Sequence, residues 1–149
     1  FRGFKAKFMS QLQLAEASVL PKAEEPDKLE GRTVLQVIVD EDMFNEVGTM
    51  HGGCLAMIID MHVSSTHACL CSPMPIYVLR ASTGIYGIFG VQQSLNIVFH
   101  PPAVLGNQLR VMSTTLTLGS WARSGHCEVW NVMRSRLVAS AVYTNMVPS

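Results

Sequence analysis

The sequence has little charge for its size. Only 15% of its 149 residues are Asp, Glu, Lys or Arg, against about 25% in a typical soluble domain, while 48% are apolar. The net charge is +0 and no basic cluster occurs, which argues against a nucleic-acid partner. Such a low fraction of charged residues favours an oligomer that buries apolar surface between its subunits. A channel for an apolar ligand would give a similar composition.

Cysteines and long apolar runs are also scarce. The four cysteines show neither zinc-ligand spacing nor a disulfide framework, so we expect free thiols in a reducing compartment. No uninterrupted apolar run reaches the ~18 residues that a membrane span needs. We therefore expect a cytoplasmic protein without a membrane span. The chain starts at Phe1, so an organellar location stays open if a targeting peptide precedes it.

Residues 1–29 are predicted to lie outside the main body. Phe1, Phe4, Phe8 and Leu12 recur at helical spacing, which predicts a short amphipathic helix over residues 1–20. A polar, proline-bounded linker follows it. We accordingly divide the chain into an N-terminal helix and linker, residues 1–29, and one domain, residues 30–149.

The elements of this domain indicate an α+β fold. The stretch from Thr33 to Phe44 alternates like a strand, and an apolar helix is predicted from Gly52 to about Leu70. Four β-like runs separated by turn residues follow at residues 91–100, 107–118, 124–133 and 136–147. A long helix packed against one curled antiparallel sheet accounts for this order.

One carboxylate lies inside the apolar helix. Apart from histidines, Asp60 is the only acidic or basic residue between Val47 and Leu79. Burying a lone charge is costly unless another group pairs with it or the protein uses it. His62 and His67 are five residues apart, off the i, i+4 spacing of helical metal ligands, so we expect no metal here. A solvated helix face is the plainer explanation of Asp60, and the glycine turn that precedes the helix favours catalysis instead.

That turn has the properties of an oxyanion hole. Gly52 and Gly53 stand at a loop-to-helix junction, where glycine lets a ligand approach the backbone. The first N–H groups of a helix have no partner inside it and carry the positive end of the helix dipole. Such fixed donors stabilise negative charge that develops on a carbonyl oxygen. The side-chain amide of Asn45 could add a second donor.

The distance between this turn and Asp60 suggests a shared site. Eight residues of helix, at about 1.5 Å each, separate Gly52 from Asp60 by ~12 Å. One side chain can hardly reach a substrate held at the start of its own helix. A second subunit with an antiparallel helix could supply its own Asp60.

These residues resemble those of a known family. The pattern N-x-x-G-x-x-H-G-G followed by an aspartate is similar to that of the hotdog-fold acyl-CoA thioesterases of the phenylacetate-pathway type, here at Asn45, Gly48, His51, Gly52, Gly53 and Asp60. The strands after the helix are also similar to theirs, and the likeness covers about residue 30 to the end. It implies a hotdog fold and a homodimer with its two long helices side by side, often doubled into a tetramer.

The resemblance also implies a reaction and its groups. The substrate would be an acyl thioester of coenzyme A or of a carrier protein, hydrolysed without a further cofactor. Gly52 N–H and the Asn45 amide would polarise the thioester carbonyl, and His51 would hold the loop and the amide in place. Asp60 of the facing subunit would be the general base on water, or alternatively the nucleophile. A desolvated carboxylate has a raised pKa, which suits that role.

Two segments depart from the family pattern. Where one branch has a serine that orients the attacking water, the alignment places Gln92, with Ser94 two residues further on and expected on the same strand face. The apolar segment from about residue 71 to 89 is longer than the family's, and forms either a lid or pocket wall or an extra edge strand. For the phosphates of coenzyme A we expect surface cations, and Arg123 and Arg136 are the candidates, with Arg134 beside them.

Two other functions stay open at this point. Gln92 and the enlarged apolar segment would also suit a hotdog enzyme acting as a lyase, isomerase or cyclase on a substrate that is not a thioester. A non-catalytic protein that binds an acyl ligand is the third hypothesis. Whether Asp60 is required separates the two enzymes from the binding protein.

Overall fold

The structure is a computed structural model that describes residues 10–71, 91–119 and 121–146, with the side chains of 63–71, 91 and 118 outside the description. In chain order its elements are β1 (Gln13–Pro21), β2 (Leu29–Ile38), a 3-10 helix (Glu41–Met43), α1 (Gly52–Cys71), β3 (Val91–Phe99), β4 (Gln108–Leu118), β5 (Ala122–Asn131) and β6 (Arg136–Met146). The α+β class, the long helix and the four late strands are thus confirmed.

One antiparallel sheet contains all six described strands. Their order is β1-β2-β4-β5-β6-β3, so β1 and β3 form its edges. The helix lies on one face and packs chiefly against β2 and β4. The sheet therefore has a helix-facing side and an outer side, and the side chains of each strand alternate between the two.

The residues of α1 that recur at helical spacing in the sequence are the ones that are buried. Leu55, Ile58, Ile59 and His62 follow i, i+3, i+4, i+7 spacing, and each is at most 3% exposed. Full burial of a Leu or Ile side chain contributes about 1.5–3 kcal/mol. The facing wall comes from the inward residues of four strands, all buried: Val37, Leu109, Val111, Cys127, Val129, Ala139 and Ala141.

The predicted N-terminal helix is wrong from Gln13 onward. Residues 13–21 form β1, which pairs antiparallel with β2 from Gln13 opposite Gln36 to Pro21 opposite Leu29. The pairing gives the backbone of this segment a set of hydrogen bonds, and such tertiary contacts override a local helical pattern. β1 therefore belongs to the same sheet as the rest of the domain, and Leu29, the last residue of the predicted linker, is the first residue of β2. Residues 1–9, which include Phe1, Phe4 and Phe8 of the predicted helix, lie outside the described residues.

The segment interpreted as a lid or edge strand also lies outside the described residues, apart from Cys71. Within the described part of the chain, no helix is both long and apolar enough to cross a membrane.

Candidate active site

The start of α1 is organised by His51. Its ring Nδ1 accepts a hydrogen bond from the backbone N–H of Gly53 at 2.9 Å, and its carbonyl accepts from the N–H groups of Cys54 and Leu55 at 3.0 and 3.1 Å. The N–H of His51 donates to the carbonyl of Met43 at 2.7 Å, which fixes the entry of the chain into the helix. His51 is thus the N-cap of the helix, a position where a side-chain acceptor satisfies one of the free N–H groups.

This cap leaves the backbone N–H of Gly52, the first residue of α1, without an acceptor among the described residues. A Cβ added to Gly52 would lie 3.5 Å from the ring of Phe99, which is itself 53% exposed. An amide donor at the positive end of the helix dipole, beside an aromatic wall, is suited to a developing oxyanion.

The side chain of Asn45 holds the loop that leads to this donor. Its Oδ1 accepts from the N–H groups of Val47 and Thr49 at 3.0 and 3.1 Å, and its Nδ2 donates to the hydroxyl of Thr49 at 3.0 Å. Gly48 closes the same loop at φ +78°, a left-handed conformation that glycine adopts without strain. The contacts of Asn45 are therefore those of a loop-organising residue, and its function as a second oxyanion donor stays a prediction.

Asp60 lies on the same helix but beyond reach of this donor. It is half-buried, and desolvation raises the pKa of its carboxyl group. Because eight residues of α1 separate it from Gly52, the two lie about 12 Å apart along the axis. Within one chain they cannot act on the same carbonyl group.

The prediction that Gln92 and Ser94 share a strand face is wrong. β3 has a bulge between them: Gln92 lies opposite Asn145 of β6, and Ser94 lies opposite the adjacent residue, Thr144. Directly opposed residues share a face, and neighbours along a strand alternate. The extra residue, Gln93, therefore turns Ser94 to the outer side and leaves Gln92 on the side that faces the helix.

Gln92 is part of a polar row at one end of the sheet. Asn145 lies opposite Gln92 on one flank and opposite Arg123 of β5 on the other, so the three share the helix-facing side. We call Gln92, Asn145 and Arg123 the polar row. Asn145 is 4% exposed. Its Oδ1 and the Oε1 of Gln92 are buried and receive no hydrogen bond from any residue in the described ranges.

The two candidate phosphate-binding arginines lie far apart. Arg123 pairs with Asn145, whereas Arg136 pairs with Asn131 at the opposite end of β6. Nine residues of strand separate Arg136 from Asn145, which corresponds to about 30 Å. Arg136 lies near the sheet end where Phe99 approaches Gly52, because Phe99 pairs with Ala139. Within one subunit the two arginines therefore cannot bind the same phosphate.

The comparisons with known proteins agree with this fold and with the sequence resemblance. No family model matches the chain. Human acyl-coenzyme A thioesterase 13 is 27% identical over 114 residues, 76% of this chain and 71% of the relative. The crystal structure of thioesterase superfamily member 2 from Mus musculus superposes with a TM-score of 0.70 at 22% identity, covering 98% of this chain and 88% of that one.

A bacterial structure shares the same fold. The PaaI protein of the Escherichia coli phenylacetic acid degradation operon superposes with a TM-score of 0.65 at 15% identity, covering 98% of this chain and 85% of that one. The chain therefore has the hotdog fold, and its sequence is similar to that of acyl-coenzyme A thioesterases. The family resemblance stated from the sequence is confirmed.

This hotdog domain buries polar groups that the sequence analysis did not identify. His62 is fully enclosed, its Nε2 lies 2.7 Å from the hydroxyl of Thr33, and desolvation lowers its pKa to about 3. It is therefore a neutral core histidine at physiological pH. Within the described ranges no three His, Cys, Asp or Glu residues are grouped as metal ligands would be.

A second buried group of the hotdog sheet is Tyr143. Its hydroxyl lies 3.3 Å from that of Ser113, burial raises its pKa, and its phenol ring lies across Gly125. A Cβ on Gly125 would overlap the phenol oxygen and lie 2.7 Å from the carbonyl oxygen of Thr114. A glycine inside a predicted strand often marks such a close approach, so Gly125 was the available sequence signal.

Proposed function

We propose that this protein hydrolyses acyl-coenzyme A thioesters at sites shared between two subunits. The observation that carries the proposal is the outward N–H of Gly52 at the capped start of α1. The thioesterase names of its relative and of the superposed mouse structure support the reaction class. The glycine turn, the half-buried Asp60 and their separation on one helix support the arrangement across two subunits.

In this proposal Gly52 and Asp60 have different functions in one reaction: Gly52 binds the carbonyl oxygen and Asp60 is the general base. The carbonyl oxygen of the thioester accepts a hydrogen bond from Gly52 N–H, and Asp60 of the second subunit takes a proton from water as the water oxygen attacks the carbonyl carbon. The C–S bond then breaks, the carboxylic acid is released, and the proton held by Asp60 passes to the leaving thiolate. No group beyond the chain, water and the substrate is needed for this balance.

The surface of the hotdog sheet supports association with a second copy. Among the described strands β3 lies at an edge of the sheet, and edges with unpaired backbone groups favour pairing with another chain. Apolar side chains lie exposed along it and on its neighbour: Val98, Phe99 and Val142, each more than half exposed. If two subunits associate through β3, Phe99 and the neighbouring backbone N–H of Gly52 lie at the subunit interface.

The environment of Asp60 supports its assignment as the base. A carboxyl group with a pKa raised by desolvation holds a proton more strongly than an exposed one, which favours proton abstraction from water near neutral pH. We expect kcat/KM to rise with pH as Asp60 ionises, about tenfold per unit below its pKa. Asp60→Asn should abolish that rise together with most of the activity.

Substitutions of Gly52 test the donor most sharply. Proline is favoured at the first position of a helix and has no N–H, so Gly52→Pro removes the proposed donor and leaves the helix start intact. The matched control is Gly52→Ala, which keeps the N–H and adds a Cβ at ordinary contact distance, 3.5 Å, from Phe99. Both variants would be assayed for thiol release from a panel of acyl-coenzyme A esters.

We expect Gly52→Pro to lose about 10²–10³ in kcat, the cost of one oxyanion-hole donor, and Gly52→Ala to stay within a few fold of the parent protein. Equal activities of the two variants would show that Gly52 N–H is not the donor. If the parent protein releases thiol from no ester of the panel, while Asp60 is still needed for another conversion of the substrate, the reaction is a lyase, isomerase or cyclase step instead.

A further inference from the structure

Two buried asparagines are bonded to each other where β4 begins and β5 ends. The side-chain Nδ2 of Asn131, the last residue of β5, donates a hydrogen bond to Oδ1 of Asn107, the residue before β4, at 2.9 Å. Asn131 is 3% exposed and Asn107 is 8% exposed. Because a buried polar group without a partner is costly, a satisfied pair of this kind favours one arrangement of the backbone around it.

Asn107 closes the turn that leads into β4, residues 103–107, which we call the β3–β4 turn. Its Oδ1 accepts a second hydrogen bond, from the backbone N–H of Val104 at 2.9 Å, and its own N–H donates to the Val104 carbonyl at 3.1 Å. The turn is also joined to Val39, whose N–H donates to the Asn107 carbonyl and whose carbonyl accepts from Gly106 N–H, both at 2.9 Å. The side chain of Asn107 therefore fixes the shape of a turn that is attached to the end of β2.

The β3–β4 turn holds the loop that leads to the proposed donor. The carbonyl of Ala103, the first residue of the turn, accepts a hydrogen bond from the N–H of Met50 at 2.9 Å, and both residues are buried. Met50 directly precedes His51, the N-cap of α1, and Gly52 follows His51. A displacement of the turn would therefore reach the Gly52 N–H through only two residues of backbone.

A second connection reaches the same loop from its other end. Val39, which the turn holds, is followed by Asp40, the N-cap of the 3-10 helix Glu41–Met43. The carbonyl of Met43, the last residue of that helix, accepts the N–H of His51 at 2.7 Å. The loop before α1 is thus attached to the β3–β4 turn directly through Met50 and indirectly through Val39.

Asn131 uses its two side-chain atoms for two different turns. Its Oδ1 accepts the N–H groups of Met133 and Arg134 at 3.1 and 3.3 Å, which organises the turn between β5 and β6. Its Nδ2 bonds to Asn107 in the β3–β4 turn. The oxygen and the nitrogen can therefore be tested separately, because a substitution that changes only the nitrogen leaves the β5–β6 turn with its acceptor.

We propose that Asn107 and Asn131 are positioning residues of the candidate active site, and that their hydrogen bond fixes the place of the Gly52 N–H through the β3–β4 turn. The identity of Gly52 N–H as the oxyanion donor rests on the proposed function, whereas the connection rests on the hydrogen bonds. An oxyanion donor acts at about 2.7–3.1 Å from the oxygen that it stabilises. A misplacement of about 1 Å, caused by a residue far from the chemistry, can lower the rate about 10²-fold.

The same substitution at the two ends of the bond tests this proposal. Asn131→Asp replaces the donating amide with an acceptor and keeps an oxygen for Met133 and Arg134. Asn107→Asp is the conservative variant, because it keeps the accepting oxygen for both Asn131 and Val104. Each variant buries one new carboxylate, so the penalty for burying a charge is common to both.

We expect Asn131→Asp to lower kcat for acyl-coenzyme A hydrolysis about tenfold, less than the full loss of an oxyanion donor, and to leave KM within about twofold. Asn107→Asp should keep kcat within about threefold of the parent protein, since both bonds of its Oδ1 are retained. Thermal unfolding would establish that both variants are folded at the assay temperature. If Asn131→Asp does not fold, Asn131→Ser replaces it, because a serine hydroxyl can accept from the same turn and provides no amide donor.

Two kinetic results would overturn the positioning function. Equal values of kcat in Asn131→Asp and Asn107→Asp would show that the bond between the two side chains does not matter to the donor. A loss that appears in KM with kcat unchanged would show that Asn131 affects substrate binding and not the stabilisation of the transition state.

Hydrogen exchange measured by NMR separates this proposal from the proposed function, because it needs no substrate. In Asn131→Asp the Met50 N–H should exchange at least about tenfold faster than in Asn107→Asp, as its bond to Ala103 loosens. The Met133 N–H should exchange as in the parent protein, since the new carboxylate still accepts it. If no ester is hydrolysed but Met50 responds in this way, the connection stands and the thioesterase assignment fails. If parent and variants hydrolyse esters equally and Met50 does not respond, the assignment stands and the positioning function is overturned.

Discussion

His51 offers a prediction about how the candidate site is held together. The structure assigns it the N-cap of α1, because its ring Nδ1 accepts the Gly53 N–H at 2.9 Å. His51→Ala would remove this acceptor, and the first turn of the helix would fray. His51→Asn is the matched variant, since asparagine is among the best N-cap residues and keeps a side-chain acceptor.

The expected magnitude follows from the exposure of the cap. Loss of an N-cap acceptor costs about 0.5–2 kcal/mol, and the hydrogen bond to Gly53 is exposed to solvent, so we expect about 1 kcal/mol for His51→Ala. In a chain of this length that corresponds to about 3 °C in Tm. His51→Asn should recover most of the loss. Thermal unfolding at neutral pH measures both variants.

Activity should follow the same order as stability. Gly52 is adjacent to His51, so a frayed first turn would displace the Gly52 N–H, and we expect kcat to fall about tenfold in His51→Ala, within the cost of one misplaced oxyanion donor. His51→Asn should stay closer to the parent protein. If the alanine variant matches the parent in Tm and kcat, or if asparagine is no better than alanine, His51 does not cap a functional helix start.

Two further predictions concern buried groups. Asp60 has a folded-state pKa raised by desolvation, so its ionisation destabilises the fold: the protonated form is favoured below the unfolded pKa, and that advantage disappears as pH rises through the folded pKa. Asp60→Asn should therefore unfold at a higher temperature than the parent at neutral pH, with a gap that narrows as pH is lowered; a constant gap would contradict the sign of the shift. Gly125→Ala would force a methyl group against Tyr143 and the Thr114 carbonyl, and should cost about 1–3 kcal/mol in denaturant unfolding, with partial recovery when Tyr143 is also changed to Leu. Unaltered stability of Gly125→Ala would show that the phenol does not lie across the glycine.

The central helix and the late strands could be predicted because their patterns are local. The 3.6-residue period of Leu55, Ile58 and Ile59 and the glycines at 52–53 define α1 without reference to its neighbours. The N-terminal strand could not be predicted, since the segment from Gln13 becomes β1 only through its pairing with β2. Edge strands are specified by a partner as much as by their own sequence.

The site was predictable to the extent that it lies in one segment. Gly52, His51 and Asp60 fall within ten residues, and their contacts follow from helix geometry. The bulge at Gln93 reversed the expected face of Ser94, because a single inserted residue shifts a strand's alternation. The polar row joins residues from three strands, and only the register of the sheet brings them together.

The most direct measurement of the central claim uses mixed subunits. Gly52→Pro and Asp60→Asn proteins, each nearly inactive alone, would be unfolded together, refolded at equal concentrations and assayed for thiol release. If a site needs the Gly52 amide from one subunit and the Asp60 carboxylate from another, half of the randomly paired dimers carry one intact site of two, and activity should return to about a quarter of the parent value. Mixtures as inactive as the separate proteins, or a parent protein that sediments as a monomer under assay conditions, would contradict the shared site.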